Sequence, residues 1–315
     1  MSFAFLKMGE GKFALSVHPP YGTSVYSSKV IGRENPKAEI TESEIENAIS
    51  QAIWRLFNEE RMMFAKRLDL SELDVVMADV RVLYIKLDGG TVVNPIGFTA
   101  KNIEIGLAEI LVTRELSENI KSSMPKKGEL VFTIEPTASC AWLIQKDSKK
   151  KDFAIARVAE EKTFIYSSMD GEKISYVSDF DWGVNSVLGS IGGHFGVEDA
   201  VARDLLRRYV REDMSVDMQK NLRGIVSEPF AEFSRGVTLA ARNVKISRPV
   251  LYVLNNELGE LNPGNISWKE SGVKMSFLPS VSHEELALHE MSGCDPLSPW
   301  NRIAKRRMKW LMCHK

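Results

Sequence analysis

The chain has 315 residues, 44% of them hydrophobic and 26% charged, which is ordinary for a globular protein of two domains or one large split one. Lys and Arg number 41 against 42 Asp and Glu, and the net charge of -1 excludes a global field drawing the chain to nucleic acid or membrane. Three scattered cysteines (Cys140, Cys294, Cys313) exclude a disulfide framework and fit a reducing compartment, and no run approaches the roughly 20 apolar residues of a membrane span. The first residues carry no sustained apolar core of an export signal. The expected location is the cytoplasm, or the inner face of the cell membrane as a peripheral protein.

In chain order, Lys12–Val17 and Thr23–Ile31 alternate around Pro19-Pro20-Tyr21-Gly22, which predicts two strands joined by a turn. Thr41 and Glu44 have capping-box spacing, and Ile45, Ala48, Ile49, Ala52, Ile53, Leu56 and Phe57 follow at helical intervals. An amphipathic helix over about residues 42–66 follows from that pattern. Val82–Val112 reads as a strand, a tight Asp88-Gly89-Gly90 turn, an extended Asn94-Pro95-Ile96-Gly97-Phe98 piece and a second strand. Met124–Gly128 is a polar breaker. Beyond it come a strand at Leu130–Ile134, a helix opening at Pro136, a hairpin of Phe153–Val158 and Thr163–Ser168, and a strand at Ser175–Asp179. Helices over Val197–Val210 and about 215–244 precede a buried strand at Pro249–Leu254. Helices that return to strands imply a layered α/β or α+β protein.

Asp88, Gly89, Asn94-Pro95 and Gly97 resemble the inserted small domain of the FtsA family, bacterial actin homologues of cell division; a related insertion occurs in the pilus-assembly protein PilM. The resemblance implies an α/β, actin-like (ribonuclease-H-type) split fold with an inserted SHS2-like small α+β domain and a helical subdomain. The expected boundaries are residues 1–39 for the start of the first half and 40–123 for the insertion. Residues 124–270 form the second half, with a helical subdomain at about 195–245; 271–299 return to the first half, and 300–315 form a terminal helix.

Within this resemblance, Glu135-Pro136-Thr137-Ala138-Ser139 matches the strand-to-helix junction ahead of the second phosphate loop. Family loops carry an Asp, then glycines, then threonines, because backbone N–H groups and hydroxyls hold phosphate and the carboxylate orients hydrated Mg²⁺. Here Arg157 stands in the place of the acid, Ala159 replaces a glycine, Glu160-Glu161 bring negative charge, and only Thr163 is kept. The residues read by themselves describe a solvated hairpin turn. Arg203 and Leu206 stand where an acid and a lysine reach the nucleoside, and Asn255-Asn256 replace the Gly-Gly turn behind the adenosine. The first phosphate hairpin is not recognisable, as though the chain began after it. The expectation is a degenerate site without a cofactor, with ATP and Mg²⁺ binding as the alternative.

The same resemblance implies a non-catalytic adaptor for an FtsZ-like tail peptide or a pilus-platform peptide, with self-association and an anionic membrane surface as further contacts and no nucleic acid. Arg207, Arg208, Arg211 and Arg223 are the candidate partner-binding residues, set against a reading as solvated helix charges. Trp300, Ile303, Met308, Trp310 and Leu311 gather on one side of a terminal helix, with Arg306 among the basic residues opposite. That composition suits an interfacial membrane anchor, and equally a last helix docked on the body. The glycines of Gly189–Gly196 and Gly9–Lys12 do not complete a phosphate-loop motif, His283 and His289 lack metal-ligand spacing, and Cys140 reads as a buried thiol.

Overall fold

The computed structural model describes residues 3–9, 11–125, 127–148, 152–171, 173–243, 250–255, 274–278, 287 and 298–313. Asn256, His283, His289 and most of the expected 271–299 return lie outside the described residues. The chain forms two compact units: Met1–Leu143, Glu172–Ser175 and His283–Lys315 make unit 1, and Ile144–Gly171 and Tyr176–Ser282 make unit 2.

Unit 1 opens with β1 (Phe3–Gly9) and β2 (Lys12–Val17), an antiparallel hairpin. A second sheet contains β3 (Gly22–Gly32), β4 (Val75–Leu87), β5 (Gly90–Val92) and β6 (Asn102–Thr113), in the order β3-β6-β4-β5. The expected strands on either side of the Asp88-Gly89 turn are therefore present. Asp88 secures the turn by accepting hydrogen bonds from the Lys101 and Asn102 N–H groups.

Helix α1 (Glu42–Leu68) joins β3 to β4, making a strand–helix–strand–strand element. Its start follows from Thr41, whose hydroxyl accepts the Glu44 N–H at 3.3 Å. It ends where Asp69 takes a left-handed conformation, its N–H returning to carbonyls of the last turn. The helix buries Ile45, Ile49, Ile53, Leu56, Phe57 and Phe64 against Ile103, Ile105, Leu107 and Leu111 of β6. Period-2 alternation sends Ile110 and Val112 to the opposite face, onto Leu15 and Val17 of β2 and onto α2 (Arg114–Ser123).

β2 and β3 both form, joined by the turn at Pro19–Tyr21, and β3 pairs along its length with β6, from Gly22 opposite Val112 to Gly32 opposite Asn102. β3, expected in the first half, lies in the same sheet as β4 and β6 of the small domain expected from residue 40. Strand β7 (Glu129–Ile134) runs parallel beside β2 and, with the start of α3 (Pro136–Ser148), belongs to unit 1 rather than to the second half expected from residue 124. The β1–β2 hairpin was also unforeseen. It forms because Phe3, Phe5, Leu15 and Val17 share one apolar cluster.

Unit 2 contains β8 (Phe153–Val158), β9 (Thr163–Met169) and most of β10 (Lys173–Phe180), an up-and-down run in which β8 and β9 pair antiparallel. Helices α4 (Val184–Phe195), α5 (Asp199–Val210) and α6 (Val216–Asn243) follow. The chain then enters β11 (Val250–Asn255), parallel to β8, and β12 (Lys274–Leu278), parallel to β11. The order β10-β9-β8-β11-β12 puts the crossover strand beside the first strand of the run, the ribonuclease-H-type arrangement of an actin-like half. In unit 1 the crossover strand β7 instead lies beside β2, the second strand of its hairpin. The three helices pack on the strands of their own unit. Val184, Leu188, Ala202, Leu206, Phe230 and Phe233 share one core with Ala154, Ala156 and Ile165 of the sheet.

The last helix, α7 (Pro299–Cys313), is a packed element of unit 1. Ile303 and Ala304 are buried, and Trp300 and Met308 pack against the same cluster as α1. Asn301, 1% exposed, accepts the Val82 N–H of β4 at 2.7 Å where the ladder is irregular. Trp300 Nε1 donates to the Val93 carbonyl at 3.1 Å, Lys305 Nζ donates to Val131 of β7 at 2.6 Å, and Arg306 pairs with Glu46. A membrane contact through Ile303 is corrected by this packing, since a buried side chain has no surface to give to lipid. Trp300 and Met308 are likewise committed in part to the core. The side chains of Trp310 and Leu311 lie outside the described residues.

Candidate functional site

The segment expected to hold phosphate is the turn between β8 and β9. β8 is buried along its whole length, so its C-terminal end delivers Arg157, itself 6% exposed, and Val158 to one end of the sheet. The turn closes with the Ala159 N–H bonded to the Lys162 carbonyl at 2.9 Å. Register places Asn255, the last residue of β11, opposite Val158. The C-terminal ends of parallel strands are where open α/β sheets bind ligands. The structure thus places Arg157, Ala159, Thr163 and the Asn255 backbone at one end of the sheet.

Their roles differ from that expectation. Thr163, the one hydroxyl kept from the family pattern, is fully buried and donates to the Trp182 carbonyl at 2.8 Å. Its position is explained by tying β9 to the start of α4, with no phosphate needed. The first amides of α4 are occupied as well. Val184 N–H donates to the Ala159 carbonyl at 3.0 Å and Asn185 N–H to the Glu160 carbonyl at 2.8 Å. Gly183 permits that approach: a Cβ there would lie 2.3 Å from the Glu160 carbonyl oxygen and 2.5 Å from that of Ala159. Two donors that a helix N-terminus offers to an anion are consumed by the turn itself.

Charge around the turn is mostly negative. Glu160 and Glu161 are exposed, and the nearby Asp179 and Asp181 both contact Lys162, at 3.4 and 2.9 Å. The hydrogen bond that Lys162 donates to Asp181 and the field of Asp179 raise the Lys162 pKa and keep its charge. Tyr176 donates its hydroxyl to Asp179. Arg203 of α5 lies 3.6 Å from Glu160, which explains an arginine where the resemblance expected an acid. Four carboxylates stand against Lys162, Arg203 and the buried Arg157, and the surface of the turn is left net negative, which opposes the approach of a triphosphate. Leu206, expected near the nucleoside, is 3% exposed and belongs to the helix core. Asp179 and Asp181 escaped the sequence reading because nothing in their spacing ties them to Lys162; the meander does.

Glu135 sits at the junction anticipated for it, after β7 and at the start of α3. Its carboxylate is fully buried and accepts the Ala138 N–H at 2.7 Å and the Thr137 hydroxyl at 3.0 Å, so it caps the helix. Cys140, one turn on, has its thiol pushed up to about 12 by burial and then by the Glu135 charge. Arg207, Arg208, Arg211 and Arg223 are all exposed, and Arg208 pairs with Asp204 one turn earlier at 2.9 Å. Among the described residues, no group of three or more His, Cys, Asp or Glu is placed to hold a metal ion, and no helix is long and apolar enough to cross a membrane.

No protein-family profile matches this chain, and no curated protein matches its sequence. Among solved structures, a PilM-PilN type IV pilus biogenesis complex is similar over 94% of this chain and 79% of its own, at 15% identity and a TM-score of 0.45. The ethanolamine utilization protein EutJ from Carboxydothermus hydrogenoformans is similar over 50% of this chain and 53% of its own, at 13% identity and a TM-score of 0.35. The archaeal actin homolog Ta0583 is similar over 60% of this chain and 58% of its own, at 10% identity and a TM-score of 0.35. These scores are low, and the strand order of unit 2 carries the assignment. By that strand order the protein has an actin-like α/β fold with mixed sheets.

Proposed function

We propose that this chain is a non-catalytic actin-like scaffold of the FtsA and PilM kind, which recruits a partner peptide and does not turn over nucleotide. One observation carries the reading: the β8–β9 turn presents Glu160 and Glu161, with Asp179 and Asp181 alongside, while its backbone carbonyls take the first amides of α4. A cradle for phosphate needs donors and positive charge, and both are spent here. The adaptor part of the proposal rests on the resemblance of Asp88–Gly97 to the inserted small domain, with an FtsZ-like tail or a pilus-platform peptide as the ligand class. Burial of Ile303 in α7 supports attachment to a membrane through such a partner rather than through the helix itself.

Calorimetric titration of the full chain with ATP and Mg²⁺ tests the catalytic half of this reading. The expected result is no heat of binding at millimolar nucleotide. Tight, Mg²⁺-dependent binding would overturn it and restore the competing view of an ATP-binding, polymerising protein.

A further inference from the structure

Glu109 sits in β6 between Val25 of β3 and Val80 of β4, on the face of the sheet that α1 covers. It is fully buried, with Leu107 and Leu111 on either side of it along that face, and neither carboxyl oxygen has a hydrogen-bond partner among the described residues. A carboxylate there would forgo both solvent and donors, at a cost far above that of a neutral carboxylic acid. The neighbouring charges sharpen the conflict. Across the seam α1 brings Glu60, whose side chain is 5% exposed and pairs with Lys173 at the start of β10. Glu59, at the rim, pairs with Lys29 of β3. Two ammonium groups thus already answer two carboxylates, and an ionised Glu109 would be a third anion without a paired cation among the described residues.

We propose that Glu109 is a proton-operated latch on α1. While it holds its proton the seam is electrically balanced and α1 stays closed on the sheet; when it loses the proton, the seam between α1 and the β3-β6-β4 face loosens. Burial first, and then the Glu60 charge, push its titration well above the usual carboxylate range, with Glu59 acting in the same sense and Lys29 against it. The open seam lets the same carboxyl ionise in water at its ordinary pH. Closure is therefore fully favoured below the ordinary carboxylate range and is progressively lost as pH rises toward the titration of the buried group. Over that window the open fraction grows about tenfold per pH unit.

The test uses the full chain and Glu109→Gln, which keeps the shape and removes the titration. Amide hydrogen exchange is followed in peptides from α1 and β6 across a pH series, after correction for intrinsic exchange chemistry. The wild type is expected to lose protection in both segments as pH rises, and E109Q to show a flat profile. Infrared spectra at neutral pH supply a second readout, a protonated-carboxyl band that E109Q lacks. Should E109Q fail to fold, Glu109→Met serves in its place. A pH-independent wild-type profile, a band unchanged by substitution, or the same slope in both proteins would overturn the latch. The band reports only that Glu109 holds its proton; a merely structural role would leave the wild-type exchange profile as flat as that of E109Q.

Discussion

The packing of α7 offers a sharp test, because its amphipathic composition suits a membrane anchor while its contacts are those of a core helix. Replacing Ile303, 7% exposed, by Ala removes buried methyl groups and leaves a space beneath the helix. Such substitutions cost about 2–5 kcal/mol. Replacing Asn301 by Ala strips the Val82 N–H of its acceptor, which at a buried site costs about 1–3 kcal/mol. The two residues share one interface, so the double variant need not show the sum. Urea denaturation followed by circular dichroism reads the loss directly, and each kcal/mol lowers Tm by about 2–4 °C for a unit of this size. Exposed Arg302→Ala is the control, expected within about 0.5 kcal/mol of wild type. Cosedimentation with anionic vesicles runs in parallel. If Ile303→Ala leaves the denaturation midpoint in place and abolishes vesicle binding, the packing argument is wrong and α7 is an anchor.

Two further outcomes follow from single contacts. Gly183→Ala drives a Cβ into the Ala159 and Glu160 carbonyls, neither of which is a flexible side-chain end. A loss of about 1–3 kcal/mol is expected in thermal melts, and an unchanged Tm would mean that the β8–β9 turn does not press on α4. At Asp88, hydrogen bonds from the Lys101 and Asn102 N–H groups hold the carboxyl below its ordinary range. Its contribution is present above that range and fades as pH falls through the lowered titration. Asp88→Asn should therefore bring neutral stability toward the acid value and flatten the acid limb of a pH–stability curve; an acid limb identical to wild type refutes the role.

Legibility in the sequence tracked how local the determinant was. The Thr41 cap, the i, i+3, i+4 spacing through Phe57, and the turn at Asp88-Gly89 each act within one or two turns of chain, and α1 and the β4–β6 strands formed as read. The hairpin at residues 153–168 was legible for the same reason. Glu109 carried a signal that went unused: it is the lone charge in the apolar Ile105–Val112 stretch, at an inward position of a period-2 pattern. Lys162 beside Asp179 and Asp181, by contrast, had no local cue.

What the sequence determined by itself is which faces are apolar and where the chain turns. What only the tertiary structure decided is what covers each face: that β3 pairs with β6 rather than β2, that Thr163 serves the Trp182 carbonyl, that Ile303 turns into the core. Periodicity specifies a surface that must leave water, and any complementary surface satisfies that demand. Choosing among partners far apart in the chain is left to register, shape and the pairing of buried polar groups, which exist only once the units have closed.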